Sequence, residues 1–530
     1  MANLSKMAVT FAVVLLLIHF SAQGEKSYLD AIPVFDEYLQ LIADGNYEIA
    51  ADMWTPEALE RSSRFGIKFT DIPMKVDCNS PIMRNLGEME ANILSPVRQY
   101  EDLDSAQWYR LEYANIYGSS LLKHNYYMQR RGDWFWISYA QDFYGASWPV
   151  TVTRYLRIRS HPDARKYLNP AVIAEADRFI EQTASRLGIS DSLLQQIAAS
   201  KIEYYLCPSD SMVEKMTGFL TVGTLDLASN DIISADFPHF HELTHLLINI
   251  RLREMPLYTL PVMREGLATW LAGRWGKQTA PLMDLAVFLY KEGLVTFDSI
   301  FTMGGFDHES GADIVYPVAG LFCGYLTEKL GMTGCLDLYL GLSGKFTQVN
   351  GMTASEVQAK IAKAAKFADW AALKTGFETY LDRHQAERVV ARPGLGDIKK
   401  TLMDDKSFAV YDDGDWLAFE FRAAPGDSLC QGNLLFAPTD SLKGHISQLF
   451  ELQYNDKQAF EGFRYGVRYD QNEAGLYDYV TNQLLAKYIW GITPSDQYFD
   501  SQQKKISIRF RKSLVAGQLP AKGQFHLLPM

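Results

Sequence analysis

Cysteine is the first scarcity in this chain: Cys78, Cys207, Cys323, Cys335 and Cys430 are scattered over 530 residues. Their number is odd and no two form a CxxC pair, so neither a dense disulfide framework nor a cysteine-ligated zinc site is encoded. Cys323 and Cys335 flank Gly331-Met332-Thr333-Gly334, read as a turn between helices, and are the pair closest to a bridge. Buried free thiols are the expectation, because nothing in the spacing demands a bond. Basic charge is also short, with a formal net charge of -12 and no basic stripe, which argues against nucleic acid as a partner. There is no internal repeat, low-complexity tract or glycine-rich nucleotide loop. Beyond an apolar run at 7–20 no second long one follows, so no membrane span is expected after removal of the N-terminal segment.

What is present is a large apolar inventory. With 48% hydrophobic residues the chain can bury several cores, and its length suggests about three or four domains. Residues 1–24 read as a signal peptide, with Lys6, the apolar run, then Ser21-Ala22-Gln23-Gly24. The run is short for an uncleaved anchor, and no cysteine stands near the cleavage site for a lipid, so a secreted or periplasmic protein is expected.

The patterning predicts an α+β multidomain protein. An N-terminal unit, 25–148, opens with an amphipathic helix near 28–43 and a helix at 56–63. Strands at 108–117, 121–129 and 134–139 follow, the last two joined by Arg131-Gly132-Asp133. This helix-plus-curved-sheet order resembles the SnoaL-like cone fold, which often holds a pocket. A central unit, 149–395, begins with a strand at 150–159, a helix at 170–187 and a sheet near 202–234, and is mostly helical thereafter. The rest, 396–530, turns to strands and turns, with breaks at Asp412-Asp413-Gly414-Asp415 and 471–475, and reads as a C-terminal β-sandwich. Tyr454, Phe463, Tyr465 and Tyr469 in that unit suit either sandwich packing or an exposed contact face.

Ten histidines serve the whole chain, yet two stand four apart in His241-Glu242-Leu243-Thr244-His245. By chance such a string should occur in on the order of one chain in a hundred of this length, so its context decides. It lies in a helical pattern over 238–253, with Leu246, Leu247 and Ile250 on an apolar face, Asp236 and Pro238 as start signals and Pro256 as a stop. Positions i and i+4 share a helix face, so both imidazoles can meet one metal ion. Glu242 points about 100° away, where a general base for water belongs. A second predicted helix at 262–272, closed by Gly273, carries Glu265. A His2Glu set of His241, His245 and Glu265 leaves one tetrahedral position open, the pattern of a catalytic zinc. His239, two residues before His241, would face the other side of such a helix and is excluded as a ligand.

These residues, with the Glu265-Gly266-Leu267-Ala268 run, resemble the gluzincin metallopeptidases, the thermolysin-like group with glutamate as third ligand. Nineteen residues separate His245 from Glu265, the thermolysin-type spacing, and no Gly-x-Met-x-Asn motif of the related aminopeptidases precedes the helix. The likeness extends to 221–228 with Asn230-Asp231-Ile232-Ile233, similar to the edge-strand region that aligns substrate backbone. It also reaches 316–322 and the helix to Leu330, similar to the tail of a peptidase MA-like domain. It covers roughly 150–392. The resemblance implies one zinc ion, Glu242 as general base, a peptide or protein substrate, and an oxyanion donor for which Tyr316 and His308 are candidates. Packing is the competing role for Tyr316. Thermolysin has an acidic residue four after its glutamate ligand, where this chain has Thr269, so the partner that orients the histidines is open.

Two other readings use the same residues: an exported binding or scaffold protein that keeps zinc structurally, and a zinc hydrolase of a non-peptide amide. Glu242 speaks against the first, because a structural site needs no base. The C-terminal unit carries no comparable constellation and is expected to serve localisation, substrate capture or stability.

Overall fold

The computed structural model describes residues 31–84, 97–104, 107–117, 120–302, 306, 314–387, 390–423, 430–437, 463–481, 483–489, 495, 497–515 and 525–529. The predicted signal peptide and His308 lie outside these residues, as does Tyr454. The chain is a mixed α+β multidomain protein with several separate sheets. Among the described residues no helix is long and apolar enough to cross a membrane.

The N-terminal helix Ala31–Ala43 buries Val34, Phe35, Tyr38, Leu39 and Ile42, one stripe at helical spacing. It packs on an antiparallel sheet in which Val97–Asp104, Trp108–Tyr117, Ser120–Arg131 and Trp134–Ser138 follow in chain order. Phe35 meets Tyr126 of that sheet at 4.9 Å between ring centroids. The helix Pro56–Ser63 has the expected bounds, capped by Thr55, whose Oγ1 accepts the Ala58 N–H. The strand Val97–Asp104 has no counterpart in the predicted elements. Its charged sequence hides the period-2 pattern, and its edge position tolerates those charges.

The central sheet runs in the order Val150–Val152, Leu156–Ser160, Ile202–Leu206, Asp231–Ser234, Gly223–Asp226. Its three inner strands are parallel and both edges antiparallel. The single strand expected at 150–159 is instead a hairpin. Thr153 makes the turn, its Oγ1 accepting from the Leu156 N–H at 2.9 Å and donating to Asp177 at 2.7 Å. The helix Asp210–Thr217 lies inside the region read as sheet, because parallel strands 202–206 and 231–234 require a crossover.

One apolar core is continuous from the N-terminal helices through the central sheet into the helical half. Buried charge fixes the contact. Asp231, fully buried, receives Arg64 at 2.6 Å and Arg61 at 3.6 Å from the N-terminal unit. The Asn230 side chain donates to the carbonyls of Arg61, Ser62 and Arg64. Asn230-Asp231 therefore ties the N-terminal unit to the sheet.

In the helical half, Pro261–Ala272 packs against the long helix Val315–Gly341. A Cβ on Gly266 would stand 2.7 Å from the Ala319 carbonyl oxygen, and one on Gly324 2.7 Å from the Trp270 ring, so small residues set this separation. The predicted turn at 331–334 is a kink within that helix: Gly331 takes φ 69° and helical backbone resumes after it. Cys323 and Cys335 are not bridged; all five cysteines are buried free thiols.

The C-terminal unit holds a six-stranded and a five-stranded sheet whose buried faces share one core. Tyr465 and Tyr469 lie inside it, Tyr469 stacked on Phe421 at 3.6 Å, which overturns the contact-face reading for these two. Phe463 is half-buried.

The lock at Asp231 makes a prediction. Asp231→Ala leaves Arg61 and Arg64 without their buried partner and should cost about 3–5 kcal/mol. Thermal melts read the loss, and limited proteolysis should show earlier cleavage between the N-terminal unit and the sheet. A variant with wild-type Tm would refute this lock.

Candidate metal centre

The HExxH helix spans Phe240–Leu252. Its entry is clamped by the Tyr204 hydroxyl, which accepts from the His239 N–H at 3.1 Å and donates to the Asp236 carbonyl. Asp236 is thus outside the cap, and His239 takes that place, its Nδ1 accepting from the Glu242 N–H at 3.4 Å. His239 stays apart from the cluster because its ring serves as a cap, not because it faces away within the helix. Burial holds its pKa down to about 3, so it is neutral. The helix ends at Leu252, before the expected stop, because Glu254–Met255 pair in parallel with Lys68–Phe69 of the N-terminal unit. The chain then returns as Pro261–Ala272, with proline at its first turn.

This return brings Glu265 to the histidines. His241 Nε2 lies 3.1 Å and His245 Nε2 3.5 Å from Glu265 Oε2. The ligand-capable atoms of the three all lie within 4.8 Å of one another. Imidazole nitrogens and carboxylate oxygens held about 2.0–2.2 Å from a tetrahedral zinc stand roughly 3.3–3.5 Å apart, so the set fits that ion.

The hydrogen bonds sharpen the fit. His241 Nδ1 is 3.0 Å from the Gly273 carbonyl, which can only accept, so Nδ1 carries the proton and Nε2 presents its lone pair. Burial lowers the His241 pKa, against the Glu265 carboxylate, whose acceptance of a proton on Nε2 would raise it. For Glu265, burial alone would raise the pKa; His245 and Arg264 outweigh it and hold the carboxyl well below its usual range. Two acceptors therefore face each other across 3.1 Å, which calls for a cation between them. Arg274 Nη1 now supplies that charge, 3.0 Å from His241 Nε2 and 3.3 Å from Glu265 Oε2.

Glu242 points from the same helix toward the edge strand Gly223–Asp226, where its Oε2 accepts the Leu225 N–H at 2.8 Å. Burial pushes its pKa up, with Glu265 adding to the rise. Tyr316 is brought to the centre as well: its ring lies under the Arg274 guanidinium at 3.6 Å. Thr269 is fully buried and its Oγ1 has no hydrogen-bond partner among the described residues, so it orients neither histidine. The orienting partner is the Gly273 carbonyl. Sequence reasoning treated Gly273 only as a helix terminator and gave Arg274 no role; neither belongs to a spacing motif.

Glu242, His245, Glu265, Arg274 and Tyr316 line a cavity of about 530 Å3. Its opposite wall comes from the N-terminal unit, through Arg84, His124 and Tyr126 among others. The C-terminal unit also reaches this neighbourhood. Leu484 N–H donates to the Gly276 carbonyl at 2.7 Å, and Gln278 N–H to the Leu484 carbonyl at 2.9 Å, pinning the turn that carries Arg274.

Gly273 takes φ 80°, and a Cβ there would stand 2.0 Å from the Lys277 carbonyl oxygen. Gly273→Ala should cost about 1–3 kcal/mol from backbone strain alone. It should also weaken metal retention, because the carbonyl that orients His241 moves. Thermal melts and zinc content after dialysis read both effects; unchanged zinc retention would refute the orienting role.

No protein-family model matches the chain, and no curated protein matches it significantly.

Proposed function

We propose that this protein is an exported zinc metallopeptidase of the gluzincin type, with His241, His245 and Glu265 as metal ligands and Glu242 as general base. The observation that carries the reading is the pairing of a convergent His2Glu set with a separate, half-buried glutamate tethered to an edge strand; Glu242, His245 and Glu265 line one cavity, and His241 is buried 3.1 Å from Glu265. A structural site has no use for that glutamate, which favours an enzyme over a zinc-holding scaffold.

Zinc bound by the three ligands supplies Lewis acidity at the scissile carbonyl. Glu242, with its raised pKa, accepts the proton of the attacking water and returns it to the leaving nitrogen. Its tether to Leu225 keeps the carboxylate between the edge strand and the histidines. The edge strand Gly223–Asp226 pairs with Asp231–Ser234 on one side, and its other side suits an extended peptide backbone. We assign charge donation to the carbonyl oxygen to Arg274 and Tyr316, with His308 as the remaining candidate. With a cation held by the three ligands, the Arg274 guanidinium, now 3.3 Å from Glu265 Oε2, would be repelled from that position and free to serve the carbonyl oxygen. Within this reading the central unit is gluzincin-like, the N-terminal unit a cone-like wall and the C-terminal unit a β-sandwich that steadies the Arg274 turn. Export rests on residues 1–24.

Wild-type protein should hold about one zinc per chain and cleave a peptide library. His245→Ala should lose the metal. Glu242→Ala should keep metal and fold but lose kcat by about three orders of magnitude or more. Near wild-type cleavage by Glu242→Ala would sink the base assignment. A zinc-loaded wild type that cleaves neither peptides nor other amides would favour the scaffold reading.

A further inference from the structure

The cavity contains more fixed positive charge than its metal centre uses. Arg264 and Arg274 both pair with Glu265, Arg264 through Nε at 2.9 Å. Among the described residues Arg84 pairs with no carboxylate. It ends the short helix Pro81–Arg84 of the N-terminal unit, its Nε donates to the Cys78 carbonyl at 3.3 Å, and its guanidinium carbon lies 5.8 Å from the centre of the Tyr258 ring. Those contacts fix the direction of the side chain and leave the terminal Nη groups without a hydrogen-bond or ion-pair partner among the described residues.

Acids in the same cavity are already engaged. Asp226 accepts from the Gln141 side chain at 2.6 Å, from Asn79, and from the Ser229 hydroxyl at 2.8 Å. Asp77 accepts from the hydroxyls of Tyr38 at 2.7 Å and Tyr126 at 2.9 Å, and burial pushes its pKa up to about 7. Outside the cavity lining, Asp71 accepts the Leu257 N–H at 2.9 Å. His124, next to Arg84, is driven neutral by burial, its pKa down to about 4. Arg264 flanks Tyr258 from the glutamate helix, and its side chain is 45% exposed. Two guanidinium groups from two units of the chain, Arg84 and Arg264, thus line the same cavity.

We propose that Arg84 and Arg264 form a substrate subsite for a peptide carboxylate, so that the N-terminal unit selects which peptides reach the metal centre. A carboxylate is the chemistry that matches: planar, anionic, and able to take two parallel N–H bonds from one guanidinium. Its source is either the C-terminus of a short peptide or an Asp or Glu side chain. The inference rests on the peptidase reading for its substrate but not for its binding chemistry.

The test uses the full-length, zinc-loaded chain with Glu242→Gln, which binds without turnover. Four random hexapeptide pools are offered in equilibrium dialysis with mass-spectrometric readout: free acids and C-terminal amides, each with Asp and Glu present or replaced by Asn and Gln. Binding should favour carboxylate-bearing peptides by about tenfold or more, as expected for a charge-assisted pair in a partly desolvated site. The acid-versus-amide and Glu-versus-Gln arms identify the source. Adding Arg84→Gln should bring the ratio to about one, and Arg84→Lys should keep part of it, with Tm and zinc content showing that both variants are folded. No carboxylate preference, no binding at all, or a preference untouched in folded Arg84→Gln overturns the subsite. Peptide cleavage by the wild type without such a preference leaves the peptidase reading standing alone. Preference without any cleavage leaves the subsite standing and removes the peptidase.

Discussion

Close packing of the helix Pro261–Ala272 on its neighbours sets the backbone that presents Glu265 to the histidines, and the site follows from that packing. Gly266 lets the helix sit against the Ala319 carbonyl, and Gly273 lets the chain turn at its end with the Lys277 carbonyl in the space a side chain would fill. The result is a lone pair on His241 Nε2 facing a carboxylate held ionised 3.1 Å away. A protein core disfavours such an approach unless a positive charge stands between. Arg274 meets that demand here, and the spacing of the donor atoms also fits a divalent ion.

From this constraint the division of charge in the cavity becomes intelligible. Glu265, beside Arg264, Arg274 and the histidines, is held ionised, whereas Glu242, on the other helix and tethered to the edge strand, is pushed toward holding a proton. Two carboxyls of like chemistry are driven apart by environment, the condition under which one binds a cation and the other shuttles protons. The cation demand at the centre also absorbs Arg264 and Arg274, which makes Arg84, in the same cavity and without a carboxylate partner among the described residues, conspicuous.

The three units meet at this cavity. The N-terminal unit is locked to the central sheet by Asp231 and ends the HExxH helix by pairing with Glu254–Met255. The C-terminal unit hydrogen-bonds the turn after Gly273 through Leu484. Each flanking unit therefore touches a segment that sets the position of a ligand or of Arg274, so rigidity in the centre depends on parts of the chain far from it in sequence.

Local pattern alone was enough for the HExxH helix, the helix carrying Glu265, the helices at 56–63 and 170–187 and the strand at 108–117. Their apolar spacing and terminal signals are properties of a few adjacent residues. The same locality made His241, Glu242, His245 and Glu265 legible as one chemical set. It misread the hairpin at 150–160, whose turn depends on Asp177 receiving Thr153, and the exit of the HExxH helix, which depends on Lys68–Phe69. Arg274, the Gly273 carbonyl, the Leu225 N–H and Arg84 carry no motif. Their roles arise from backbone atoms and side chains that meet only when distant segments pack, and no spacing rule records such a meeting. The sequence determined which groups can do chemistry; the tertiary structure decided which groups orient them, which charges they face and which residues close the cavity around them, because those are facts of distance through space.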